Sequence, residues 1–485
     1  MKKIAALIAF TTTLGACSLA PDYERPASPV SSTYADTTPP GNTIATTPWQ
    51  QFFTDAQLQV LITQALQNNR DLRIAALNIE RTRAQYGITT ADRWPTLSAT
   101  AQGNRQHVPA DLSTTGEEAV NSQYSAGLGL AAFELDFFGH VRNLSDAALQ
   151  KYLATEEARN AAQLSLVADI ADLWLTIRAD DARLALTQAT LTSRERSVKL
   201  MQARFTQGVT SELDLRQSQS LLASAQALLA QQQRLHEQHR HALALLVGNN
   251  PGVGAAPSNS AAAKPEDFDS LALPESIPAG LPSDLLEQRP DIREAEAQLR
   301  SANANIGAAR ANFFPRISLT ASAGSASREL DGLFDGGSRA WSFAPSVNLP
   351  LFDGGRNRAT LDMAKADRDI AVAHYEKAVQ AAFRDVADAL TATQTLEQEF
   401  TAQQAETDAL TNAYALSERR YRGGVVSYLE MLDAERSLLT SRQQLIDVRL
   451  ARQQSRIALF RAVGGGWQSQ DDQRSANNAT PASSG

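Results

Sequence analysis

Cys17 is the only cysteine among the 485 residues, and it directly follows Leu14-Gly15-Ala16. A thiol in that place, behind small residues that suit a signal peptidase, is an acceptor for a diacylglyceryl group. Lys2 and Lys3 precede an apolar run from Ile4 to Leu14 that is too short to span a bilayer as a helix. Residues 1–16 are therefore expected to be a lipoprotein signal, with Cys17 carrying the acyl chains, palmitate among them, of a membrane anchor. A single cysteine leaves no internal disulfide, although an exported chain could have used one. His236, His239 and His241 form the one cluster whose residue types resemble metal ligands. On a helix the first two share a face and the third points elsewhere, and no carboxylate-bearing zinc motif surrounds them, so a solvated helix face is expected. No phosphate loop, dinucleotide fingerprint or nucleophile elbow occurs. The chain reads as non-catalytic, with no cofactor beyond the covalent lipid on Cys17. A net charge of −8 and the lack of a basic stripe argue against a nucleic-acid partner.

Long segments free of both Gly and Pro position these residues, and they come in pairs. His140 to Gln207 is one and Arg356 to Arg422 is its partner; each predicts a helix of roughly 100 Å. Each ends at glycine (Gly208; Gly423 and Gly424) and is followed by a 39-residue run, Val209–Val247 or Val425–Val463. Residues repeat as well. Asp71-Leu72-Arg73 matches Asp291-Ile292-Arg293, and Pro95-Thr96-Leu97-Ser98 matches Pro315-Arg316-Ile317-Ser318, both at a spacing of 220. Phe138, Arg142 and Asn143 match Phe352, Arg356 and Asn357 at 214. Arg204-Phe205, Gly208-Val209, Ser211 and Leu213-Asp214 match Arg420-Tyr421, Gly424-Val425, Ser427 and Leu429-Glu430 at 216. The chain is an internal duplication of a helical hairpin and what precedes it.

Between the helices the pattern has period 2. Leu97, Ala99 and Ala101 alternate with Ser98, Thr100 and Gln102, and Ile317, Leu319, Ala321 and Ala323 alternate with Ser318, Thr320 and Ser322. These are strands with one apolar and one polar face. Tyr124, Ala126, Leu128 and Leu130 supply another, with a parity shift near Ala131; Trp341, Phe343, Val347, Leu349 and Leu351 supply the last. Trp94, Phe314, Phe137, Phe138, Trp341 and Phe352 lie near strand ends, as in a membrane-interface girdle. Four strands cannot close a membrane barrel, and an open edge cannot face lipid. A barrel shared between chains is expected, and with it an obligate oligomer. Ile170, Ile177, Leu184, Leu191, Val198 and Phe205 recur every seven residues, a seam for supercoiled helix packing.

The lipobox, the duplicated strand pairs and long helices, and the "Arg-aromatic-x-x-Gly-Val" tips resemble the TolC-type outer-membrane factor family. The nearer match is its lipoprotein branch, which serves tripartite resistance–nodulation–division efflux pumps. Ser18 rather than Asp after the cysteine is similar to lipoproteins sorted to the outer membrane. The resemblance implies a mixed α+β membrane protein: a homotrimer with a long α-helical barrel in the periplasm and a shared transmembrane β-barrel, four strands per chain. The implied organisation is signal peptide 1–16, extended segment 17–50, helical repeat 51–94, strand pair 95–137, long hairpin 138–247 and equatorial linker 248–283. The second copy follows as helical repeat 284–314, strand pair 315–352 and hairpin 353–463, with a disordered tail 464–485. By the same resemblance Gly208, Val209, Gly424 and Val425 are periplasmic tips where an adaptor (membrane fusion) protein docks, alongside an inner-membrane transporter of the pump. Leu429, Glu430 and Asp433 match gate positions, the two acids forming rings near the axis, and Tyr421 matches a residue that stabilises closure. Gln217 stands opposite Asp433 in the first repeat, so the second hairpin should carry more of the gate. Val426 replaces a residue that is basic in some relatives, so a salt-bridged latch there is not expected. The implied function is an exit duct for drugs or other small molecules. A duct for type I protein secretion shares the fold, and a structural periplasmic tether is the alternative from another class. Acids in the first turn of the return helix, favoured by its dipole, are the plainer reading of Glu430 and Asp433.

Overall fold

A computed structural model of the chain describes residues 18–31, 47–114, 116–248, 286 and 288–465. Cys17, most of the 248–283 linker and the end of the 464–485 tail lie outside the described residues. The elements in order are α1 (Trp49–Phe52), α2 (Ala56–Asn68), α3 (Arg70–Ala91), β1 (Leu97–Val108), β2 (Ala119–Glu134), α4 (His140–Thr206) and α5 (Glu212–Val247). They continue with α6 (Pro290–Ala311), β3 (Arg316–Ser327), a 3-10 turn (Asp331–Phe334), β4 (Arg339–Asn348), α7 (Arg356–Arg422) and α8 (Tyr428–Ala462). Helices α4 and α7 are each 67 residues long, and both stop where the uninterrupted Gly- and Pro-free runs stop. No helix among the described residues is long and apolar enough to cross a membrane.

The chain divides into two compact units. The first holds residues 1–27, 78–156 and 294–376; the second holds 28–77, 157–293 and 377–485. The boundaries fall inside α3, α4, α6 and α7, so each unit draws on both copies of the duplication.

The first unit contains one antiparallel sheet, ordered β1-β2-β3-β4. Its register places Leu97 opposite Leu130, Ala99 opposite Leu128, Leu128 opposite Ala323, and Ala323 opposite Trp341. Phe343 and Val347 continue this apolar face, and Leu97, Leu128, Trp341, Phe343 and Val347 are all more than half exposed. The opposite face carries Thr100, Gln102, Asn104, Ser318 and Ser322, with Ser318–Ser346 and Ser322–Ser342 hydroxyl pairs at 2.7 Å. An exposed apolar face opposed to a polar one is the pattern of a barrel wall between lipid and water. A bulge between Leu130 and Phe133 holds Ala132 at φ 48° and keeps Phe133 beside Leu319 on the apolar face. The parity shift in the sequence is thus a bulge within the strand.

Residues 18–27 pack along the helices of this unit. Ser18 donates to Asn143 Oδ1 at 2.8 Å, Asn303 donates to the Pro21 carbonyl at 2.7 Å, and Arg310 donates to the Leu19 carbonyl at 3.0 Å. Gly307 lets the segment approach: a Cβ there would lie 2.5 Å from Asn143 Nδ2 and 2.7 Å from the Ala20 amide. Glu296, 5% exposed, accepts from Tyr23 Oη at 3.0 Å and from Arg25 Nε and Nη2 at 3.2 and 2.9 Å. Burial pushes the Glu296 carboxyl up, but the hydrogen bonds from Arg25 and Tyr23 and the Arg300 charge more than reverse this and hold it below its ordinary value. A carboxylate held low stabilises the fold above its ordinary range, and that contribution is lost as pH falls through the lowered value. Glu296→Ala should therefore free the segment by about 1–3 kcal/mol at neutral pH. Proteolysis between residues 18 and 27 should become rapid in the variant, whereas the wild type should be clipped comparably only in acid.

The second unit is helical. Phe52 stacks on Phe460 with centroids 4.1 Å apart, Phe53 meets the same ring edge-on, and all three are buried. Leu58, Ile62 and Val247 are fully buried, and Asn69 donates to the Leu246 carbonyl at 2.8 Å, tying α2 to α5. Along α4 the expected seven-residue seam is partial: Ile170 and Leu191 are buried, but Phe205 is 39% exposed. Other buried positions lie off that seam, among them Ala182, Arg194, Met201 and Leu175.

Candidate functional site at the hairpin tips

Both hairpins turn by the same local device. Gly208 sits at φ 69°; its amide donates to the Phe205 carbonyl at 2.9 Å, and the Val209 amide donates to the Arg204 carbonyl at 2.9 Å. Gly424 sits at φ 72° with the matching bonds, to Tyr421 at 3.0 Å and from Val425 to Arg420 at 2.9 Å. This Schellman arrangement satisfies the last carbonyls of the long helix and needs a residue free to enter the left-handed region. Serine then caps each return helix, Ser211 accepting from the Asp214 amide at 3.2 Å and Ser427 from the Glu430 amide at 3.3 Å. Four apolar side chains stand outward around these turns. Val209, Leu213, Val425 and Leu429 are 63%, 66%, 68% and 56% exposed, and each pair repeats at 216.

The tips differ in how they use their acids. Asp214 closes a capping box with Ser211 and also accepts from Thr210 at 2.9 Å. The Ser211 hydroxyl above all, with Thr210, holds its carboxyl below the ordinary value. Glu430 turns instead to Arg420 Nη1 at 3.4 Å, and Asp433 pairs with Arg436 one turn along the helix. Within one chain, then, each proposed gate acid is exposed and has a cation beside it.

Beneath the turns the two hairpins are joined. Met201, Leu215, Tyr428, Met431 and Leu432 form a buried cluster, with Leu221, Tyr414 and Tyr421 packed on it. Arg204 donates to the Tyr421 hydroxyl at 2.8 Å and lies 5.9 Å from its ring centroid, so the first hairpin holds the second through the tyrosine. One pair is buried deeper: Arg194 meets Glu435 at 2.9 Å with side chains 4% and 14% exposed. Burial pushes the Glu435 carboxyl up against the lowering charge of Arg194, and pushes the Tyr428 hydroxyl up to about 12. Sequence reasoning brought out Tyr421 but took Arg204 only as a repeat marker and missed Arg194. The available signal was an arginine lodged between Leu191 and Val198 in an apolar seam.

Of the three histidines only His241 is exposed to solvent, as expected; His236 and His239 are not on a solvated face. His236 Nε2 lies 3.1 Å from Asp181 Oδ1, and His239 Nδ1 lies 2.6 Å from Asp180 Oδ2, with side-chain exposures of 16% and 33% for the histidines. Pairing of α5 with α4 covers that face, which the periodicity of α5 alone did not reveal. Among the described residues no group of three or more His, Cys, Asp or Glu side chains is placed to hold a metal ion.

The profile of the outer membrane efflux protein family matches residues 61–249 and 281–465, one segment for each copy of the duplication. The chain is 45% identical over 478 residues to the probable efflux pump outer membrane protein TtgC of Pseudomonas putida, covering 97% of each chain. It is 48% identical over 465 residues to the outer membrane protein OprJ of Pseudomonas aeruginosa, covering 96% of this chain and 95% of that one. The structure matches the open state of the Neisseria gonorrhoeae MtrE outer membrane channel with a TM-score of 0.84 at 40% identity, over 93% of this chain and 99% of that one. With its paired hairpins and its sheet of one apolar and one polar face, this chain belongs to the outer membrane efflux protein family and is an efflux channel of the outer membrane.

Proposed function

We propose that three copies form the exit duct of a tripartite pump, anchored by lipid on Cys17 and gated at the two glycine tips. The observation that carries this reading is the duplicated quartet Val209, Leu213, Val425 and Leu429, apolar and exposed on turns that both sequence copies preserve. Exposed apolar side chains gathered on otherwise polar helix ends call for a partner surface. The partners are an adaptor protein at the tips and, beyond it, an inner-membrane transporter of the resistance–nodulation–division type. Twelve strands from three chains would leave no open edge in the bilayer. Leu429 supplies an apolar constriction, Glu430 and Asp433 a charged one, and Tyr421, held by Arg204, braces the second hairpin in its closed position. A structural tether would give no conductance in planar bilayers, and purified protein that conducts eliminates it. Mass spectrometry of the mature N-terminus should show an acylated Cys17; an unmodified cysteine there refutes the anchor.

Replacing Glu430 and Asp433 together with Ala tests the gate. Arg420 and Arg436 would lose their counter-charges, so the constriction should shift toward favouring anions. The reversal potential in a potassium chloride gradient should shift accordingly, most strongly near 0.01 M salt, where screening reaches over roughly 30 Å. Leu429→Gly should raise leakage with little change in ion preference. An unchanged reversal potential in the double variant would assign both acids to plain helix starts.

A further inference from the structure

The 216-residue spacing that relates the tips also relates two ion pairs deeper in the hairpins. In the second hairpin Arg452 of α8 meets Glu397 of α7 at 2.6 Å, with Arg456 at 3.9 Å from the same carboxylate and Arg452 stacked 4.6 Å over Phe400. Subtracting 216 from 397 and 452 gives Asp181 and His236, which pair at 3.1 Å across α4 and α5. The duplication has kept one clamp between long and return helix in both copies but filled it differently. One copy uses an arginine, charged at every relevant pH. The other uses histidine, a side-chain type that carries a charge only when protonated. A second histidine strengthens the difference, since His239 meets Asp180 at 2.6 Å where the second copy has Ser455 and Leu396.

We propose that the first hairpin carries an acid-strengthened latch, formed by His236–Asp181 and His239–Asp180, whose duplicate in the second hairpin is insensitive to pH. The latch stands on these contacts alone and does not depend on the gate assignments above.

The charges around it set its sign. From α4 come Arg178, Asp180, Asp181 and Arg183; from α5 come Glu237 and Arg240, Glu237 also lying 3.6 Å from His236 Nδ1; from α8 comes Asp447, 2.6 Å from Arg183. Four carboxylates thus face three guanidinium groups. With neutral histidines the cluster has one negative charge in excess, and two protonated histidines turn that into one positive charge. Each proton placed on a histidine sits directly against a carboxylate of the facing helix, so acid draws α4 and α5 together. With neutral histidines the two pairs lose their charge–charge part, and Asp180 is left with Arg183, which it shares with Asp447. Burial pushes the Asp181 carboxyl up, with the His236 charge opposing, so strong acid ends the effect from the other side.

Hydrogen exchange of the full-length detergent-solubilised channel, corrected for the chemical exchange rate, reads the latch directly. Between about pH 5.5 and about pH 7.5, segments 176–184 and 232–241 should lose protection by roughly fivefold. The duplicate segments 392–400 and 448–456 should change less than about twofold over the same interval. Asp180→Leu and Asp181→Glu with His236→Arg and His239→Ser, which copies the second clamp, should flatten the response of the first hairpin. Glu397→Asp with Arg452→His should create a response in the second. Equal loss of protection in both wild-type hairpins overturns the proposal, and this comparison needs no variant to fold. A fall that persists undiminished in His236→Gln/His239→Gln overturns it as well.

Discussion

Replacing Arg194 with alanine should destabilise the joined hairpin tips by about 3–5 kcal/mol, because it leaves Glu435 buried without its partner. The effect should depend on pH in a definite direction. Burial already pushes the Glu435 carboxyl up, and without the Arg194 charge nothing nearby opposes it. A carboxyl raised in the folded state binds its proton there more tightly than in the unfolded chain, so folding gains from acid and loses as pH rises through the raised value. The deficit of Arg194→Ala should therefore be smallest in acid and largest at alkaline pH. Urea unfolding followed at the tips across that range would show it. An apolar double replacement, Arg194→Met with Glu435→Leu, should restore most of the stability, because a buried pair and a packed apolar substitute are close in free energy. If the single variant were as stable as wild type at alkaline pH, the pair would not be a buried one.

The second large effect lies in the sheet. Gly324 of β3 faces Gly127 of β2, and a Cβ on Gly324 would sit 2.2 Å from the Ala126 carbonyl oxygen and 2.5 Å from the Gly127 Cα. Those neighbours are backbone and cannot rotate away. Gly324→Val should thus separate β2 from β3 at the seam between the two sequence copies, at a cost of about 3 kcal/mol. The proposed oligomer should disappear from outer-membrane fractions, with the chain accumulating as a degraded or periplasmic species. Gly103→Val is the matched control, since its Cβ would meet only the Tyr124 ring at 3.1 Å, which can move. Its oligomer should survive; equal loss in both variants would mean that crowding against the β2 backbone is not the cause.

The long helices were legible because glycine and proline are absent for so long that nothing interrupts them, and the strands because alternation is kept on both sides of each turn. The tips were legible through repetition: Gly208 and Gly424 recur with their neighbours, and the structure gives both the same positive φ and the same hydrogen bonds. What escaped was pairing between distant segments. Nothing around Glu296 announces that Tyr23 and Arg25 reach it from more than 270 residues away. Arg194 and Glu435 each look like ordinary charged residues of a polar helix until the helices are laid together. His236 and His239 were misjudged for the same reason, since a helix read alone shows its own faces but not the carboxylates of the helix beside it. The unequal setting of Asp214 and Glu430 also lay beyond the sequence. Both occupy the third position after a capping serine, and only the conformation decides that one closes the box while the other turns to an arginine.

The bulge in β2 acts on the side chains as a frameshift acts on codons. Upstream of it even-numbered positions such as Leu128 and Leu130 face the apolar side; downstream the odd-numbered Phe133 does, and Ala132, at φ 48°, absorbs the step with its amide held by Thr320 Oγ1 at 3.2 Å. Length changes in this strand are therefore not equivalent. Removing one residue at the bulge would straighten the strand without moving Phe133 to the wrong face, whereas removing one residue anywhere between Tyr124 and Leu130 would turn every side chain on one side of the cut over. Removing two would restore the phase. Tolerated insertions and deletions among relatives of this strand should fall in even numbers, or else coincide with the bulge.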